Sequence, residues 1–94
     1  MSKALRAPDY LEHILEALAR IGRYTGGMDE SEFLNNELVQ DAVIRNIEIV
    51  GEAANKILRV DAEFAAAHKT IPWQVMYAMR NRVSHGYEQV DLEI

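Results

Sequence analysis

The 94-residue chain contains no cysteine, which excludes disulfide staples, thiolate metal sites and a cysteine nucleophile, and fits a reducing cytoplasm. No apolar run approaches the roughly 18–20 residues needed to cross a bilayer, and no N-terminal signal pattern is visible. A membrane role is therefore not expected. No stretch alternates with period two for long enough to make a strand, and there is no internal repeat, low-complexity tract or linker. A glycine-rich phosphate loop is missing, and three scattered histidines without ligand spacing argue against a metal site. No cofactor is expected.

Basic charge is scarce as well. Ten lysines and arginines against fifteen acidic residues give a net charge of −5, which excludes a surface coated with positive charge that grips nucleic acid wherever it lands. A local basic site remains open. The acid is concentrated in residues 26–35, which carry −3, whereas residues 1–25 carry +1 and the later segments about −1 each.

What is present reads as helix throughout. Hydrophobic residues make up 49% and charged residues 27%, enough to fold, and the length fits one small domain over residues 1–94. A domain this small, without cross-links, often gains stability by oligomerising. Asp9 and Glu12 have capping-box spacing behind Pro8, and Leu11, Ile14, Leu15, Leu18 and Ile21 follow as one apolar stripe. Gly26 and Gly27 end that helix, and Asp29 with Glu32 caps a short turn carrying Phe33 and Leu34. The third and longest element is predicted over about 36–59. Val39, Val43, Ile47, Val50, Ala54 and Ile57 face one way, broadened by Leu38, Ala42, Ile49 and Ala53. Asp41, Arg45, Glu48, Glu52 and Lys56 form its polar stripe, with i,i+4 pairs Asp41–Arg45 and Glu52–Lys56. Gly51 within it is expected to permit close helix contact. Residues 61–69 read as a short Ala-rich helix or connection, Pro72 sets the first turn of the next helix and Gly86 is placed to end it.

That next helix holds the chemistry. At about 100° per residue, Val75, Met76, Met79 and Val83 form its expected core stripe. Trp73, Tyr77, Arg80, Asn81 and His85 fall on the outward half. Exposed aromatics at helical spacing mark a partner surface more often than a cofactor box, so Trp73 and Tyr77 are candidates for a dimer interface. An imidazole can exchange a proton near neutral pH, so His85 suits general acid–base work, though a histidine at a helix C-terminus also simply complements the dipole. Arg80 offers a planar fork for a phosphate, or a salt bridge on the helix flank. Ideal geometry separates positions 80 and 85 by about 140° and about 7.5 Å. Either the helix loosens before Gly86, or a second copy of the chain supplies the other group. His13 and His68 read as surface residues.

The string Arg80-Asn81-Arg82-Val83-Ser84-His85-Gly86-Tyr87 resembles the signature of the HepT-like branch of the HEPN superfamily, and Gln40 to Ile57 resembles that family's central helix. The likeness covers essentially the whole chain. It implies an all-α, up-and-down HEPN-like bundle of four to five helices that dimerises. Relatives continue into a further C-terminal helix, so the pattern Val90, Leu92, Ile94 is expected to be the start of a truncated or missing one. The resemblance also implies a cytoplasmic, metal-independent endoribonuclease, the toxin of a type VII-like toxin–antitoxin system. Carried over by position, Arg80 and His85 form the catalytic pair, and Asn81 and Arg82 orient or contact the phosphate. Tyr87 is the tyrosine that a minimal nucleotidyltransferase antitoxin modifies with AMP. RNA is the implied substrate, with no activity on DNA. The alternative is a non-catalytic HEPN module that binds a partner protein or nucleotide.

Overall fold

A computed structural model describes the backbone of residues 6–85 and the side chains of residues 6–83. Five helices run in order: α1 Ala7–Thr25, α2 Glu30–Leu34, α3 Glu37–Val60, α4 Ala62–Ala67 and α5 Trp73–His85. The described residues contain no strand, so the all-α expectation of four to five helices holds. The expected truncated helix lies outside the described residues. No helix among them is long and apolar enough to cross a membrane.

Local chemistry sets each boundary. α1 begins two residues before the expected cap. Asp9 sits inside the first turn, and its carboxylate accepts from the Arg6 backbone N–H at 2.9 Å. Pro8 explains the shift, because its fixed φ suits a first turn where its missing N–H leaves nothing unpaired. Gly27 follows α1 at φ +78, a left-handed turn that side chains with a Cβ rarely adopt. The expected cap of α2 is present, with Asp29 accepting from Glu32 N–H at 2.8 Å. Asn36 caps α3 through Val39 N–H at 3.0 Å, and Asp61 caps α4 through Phe64 N–H at 2.9 Å.

α3 is the central helix. α1 and α5 each pack extensively on it, while α2 and α4 touch it lightly. The core joins Ile14 and Ala17 of α1, Val50, Ala53, Ala54 and Ile57 of α3, Ala65 of α4 and Trp73 of α5. Small residues dominate the seams, so the helix backbones approach closely and Ile14 and Ile57 fill the space between them. The apolar stripes are narrower than their sequence periodicity indicates. Leu15 and Leu18 stand exposed on α1, and Leu38 is 81% exposed at the start of α3. Asn46 is the buried polar residue of this core. Its amide donates to Ala42 O at 2.8 Å and accepts from Arg20 Nε at 2.9 Å, which ties α1 to α3.

Candidate functional site

The seam between α3 and α5 is built on a missing side chain. A Cβ added to Gly51 would collide with Cβ of Arg80 and lie 2.8 Å from Met76 O and 2.9 Å from Arg80 Cγ. Only glycine lets α5 settle here, so the close contact expected at Gly51 is present. The aliphatic stem of Arg80 lies over it.

This seating rolls α5 away from its expected face. Trp73 and Val83 are buried and Met76, Tyr77, Arg80 and Asn81 half-buried, whereas Val75 is 59% and Met79 45% exposed. On the helical wheel the buried arc is centred about 110° from the Val75–Met79–Val83 stripe, close to Arg80 itself. The stem of an arginine can pack like an aliphatic residue while its head stays polar, so hydrophobic periodicity misjudges this helix. Trp73 corrects the expectation of an interface aromatic. It is only 5% exposed, its indole N–H donates to Ala65 O at 3.1 Å, and its surface is spent on the core.

The guanidinium of Arg80 emerges between α3 and α5. Nη1 donates to Asn81 Oδ1 at 2.8 Å, and Nη2 lies 3.8 Å from Glu52 Oε1. The side chain is 29% exposed and that of Glu52 51%, so the pair contributes at most about 1 kcal/mol to stability. Its consequence is orientation. Nε is buried and has no partner among the described residues. Nη1 and Nη2 each carry a second N–H beyond these two contacts, so Arg80 keeps donors to spare although two neighbours hold it in place.

Beside it opens a polar cleft of about 350 Å³, lined by Glu52, Asn55, Lys56, Arg59, Tyr77 and Arg80. Tyr77, the other expected interface aromatic, is half-buried along this wall. Glu52 of the α3 polar stripe reaches across to α5, and Lys56 and Arg59 border the cleft while remaining exposed. Gly51 signalled the helix contact in the sequence, but nothing there identified Arg80 as the residue opposite.

Arg82 is exposed. His85 is the last residue of α5, and its side chain and Tyr87 lie outside the described residues. His13 and His68 are exposed as expected: His13 packs edge-on to Tyr10, and His68 Nδ1 lies 3.0 Å from Phe64 O. The described residues hold no group of three or more potential metal ligands.

Fold and site together define an all-helical protein with an arginine seated on a central-helix glycine beside a cationic cleft. Residues 14–94 match the family model described as Ribonuclease HepT-like. A relative named Probable ribonuclease HepT, from Thermococcus cleftensis, is 40% identical over 92% of this chain and 76% of its own length. A Methanocaldococcus jannaschii protein named gamma-glutamylcyclotransferase and putative RNase is 42% identical over 88% of the chain, which spans only 36% of that larger protein. Another relative from the same organism, named putative RNase, is 35% identical over 87% of the chain and 72% of its own length. No solved structure matches. The chain belongs to the HepT-like ribonuclease family.

Proposed function

We propose that the chain is a metal-independent endoribonuclease whose site combines Arg80 of one protomer with His85 of a second. Family membership supports the substrate class. The observation that carries the site is Arg80, seated over Gly51 and held by Glu52 and Asn81 at the edge of an open cleft.

RNA brings its own nucleophile. The imidazole of His85 takes the 2′-hydroxyl proton, and the oxygen attacks the adjacent phosphorus. Arg80 neutralises charge that builds on the phosphoryl oxygens as the bond to the 5′-oxygen breaks. The His85 imidazolium returns its proton to that oxygen, directly or through water, and the products are a 2′,3′-cyclic phosphate and a 5′-hydroxyl. DNA lacks the nucleophile and is not cut by this route.

Two features support a dimer. α5 is unbroken from Trp73 to His85, so a straight helix keeps positions 80 and 85 about 140° apart and one copy does not easily bring both to one phosphate. Val75 and Met79 stand exposed one turn apart. They take the place of Trp73 as the apolar contact between copies, with Tyr77 at its edge. In this reading the chain is the toxin of a type VII-like pair. A nucleotidyltransferase antitoxin silences it by placing AMP on Tyr87, adding bulk and negative charge where the substrate phosphate must sit.

The test is cleavage of mixed RNA in EDTA by wild type, His85→Ala and Arg80→Ala proteins of matched fold. Loss of about 10²–10⁴-fold in each variant, with cyclic phosphate ends in the wild type, is the expected result. Undiminished cleavage by His85→Ala refutes the assignment. Intact mass checks beforehand that Tyr87 carries no AMP. Because Arg80 is also held by a carboxylate, a non-catalytic binding module is the competing reading. A wild type that is unmodified and inert favours it.

A further inference from the structure

We propose that the cleft beside Arg80 is a binding subsite for the single-stranded RNA flanking the scissile bond, with Lys56 and Arg59 holding its phosphates. This rests on the ribonuclease reading above and extends it to residues that the motif does not include.

Positions 52, 55, 56 and 59 share one face over two turns of α3, and all four side chains line the cleft. From Glu52 to Arg59 the helix rises about 10.5 Å, the length of about three nucleotides at about 3.4 Å each along a stacked strand. Lys56, Arg59 and Arg80 face a single carboxylate there, and that carboxylate lies against the Arg80 guanidinium. The cleft therefore carries a local excess of two positive charges on a chain whose net charge is −5. Positive charge is concentrated where the substrate backbone must run on either side of Arg80.

The chemistry suits a nucleotide. Lys56 and Arg59 are exposed and free to follow phosphates, while the half-buried ring of Tyr77 gives a base or ribose a flat wall. The amide of Asn55 adds a donor and an acceptor. A helix-dipole role accounts for Arg59 in the last turn of α3. It does not account for Lys56, nor for a cleft continuous with Arg80. Contacts of this kind are to the backbone, so the subsite sets affinity and register with little preference for sequence.

The experiment measures binding apart from cleavage. His85→Ala protein is titrated into a fluorescein-labelled 12-nucleotide single-stranded RNA of mixed sequence, by anisotropy, at several KCl concentrations. Adding Lys56→Gln and Arg59→Gln is expected to weaken binding about tenfold at moderate salt. The slope of log K against log[KCl] should fall by about 1.4, from about 0.7 per phosphate contact on a single strand. In the His85 background the pair Arg23→Gln and Lys69→Gln, exposed cations elsewhere, removes the same charge and should change the slope far less. Restoring charge with Lys56→Arg in the double variant should recover part of the slope, and thermal melts establish that all variants fold. In the active protein, the double variant should raise KM with kcat nearly unchanged.

An unmoved slope, an equal effect from the control pair, or no RNA binding by the His85→Ala protein overturns the subsite. If wild type cleaves RNA while the slope stays put, the subsite is wrong and the nuclease stands. If the slope falls but wild type never cleaves, the cleft is a nucleic-acid site and the nuclease reading fails.

Discussion

The two flanks of α3 are packed by different rules. On the α1 side, Ile14 and Ala17 join one buried cluster with Val50, Ala54 and Ile57, and the buried Asn46 amide is satisfied on both its oxygen and its nitrogen. On the α5 side, a glycine receives an arginine stem, an Nε–H has no partner among the described residues, and Val75 and Met79 face outward. The first flank closes with aliphatic residues and a fully paired amide. The second seats an arginine stem on a glycine and holds its guanidinium in a fixed place. On the proposed function, the α1 flank would bear stability and the α5 flank chemistry.

Substitutions on the two flanks should separate these roles. The largest change in stability is expected from Ile57→Ala, which leaves a cavity at a fully buried position. It should cost about 2–5 kcal/mol by urea denaturation, with the remaining folded protein cleaving at its normal rate. Gly51→Ala should come next, at about 1–2 kcal/mol, since overpacking outweighs the roughly 1 kcal/mol gain in helix propensity. Its cleavage rate should drop at least tenfold, because the new methyl displaces Arg80. If Gly51→Ala cut activity no more than Ile57→Ala did at equal folded fraction, the contrast would break. Asn46→Ala leaves Arg20 Nε without its acceptor and should cost about 1–2 kcal/mol, again with little effect on cleavage. Glu52→Gln should be the mildest in stability, under about 1 kcal/mol in a thermal melt, since its ion pair is half-exposed and 3.8 Å long.

The helix order was largely legible in the sequence. Asp29 and Gly27 mark their turns through side-chain oxygens and backbone freedom, which act over a few residues and need no knowledge of the rest of the chain. Position 36 opens α3 as the pattern indicated. The roll of α5 was not legible. Periodicity weighs Val75 and Met79 as core and Arg80 as surface, yet the Cβ missing at Gly51 decides which face of α5 fits against α3. That choice depends on shape across the seam, which a hydropathy pattern does not encode. The Glu52–Arg80 pair and the Lys56–Arg59 wall were hidden for the same reason. Each joins residues whose proximity follows from the roll. The motif string identified Arg80 itself, but its supports on α3 emerged only when the helices were packed.

The most direct measurement asks whether two chains share one site. Arg80→Ala and His85→Ala proteins, each inactive alone, are co-expressed with different tags and purified so that every dimer contains one of each. Such a dimer keeps one site with Arg80 from one protomer and His85 from its partner, so about half of wild-type cleavage should return. Activity that stays at the level of either variant alone contradicts a site shared in this way.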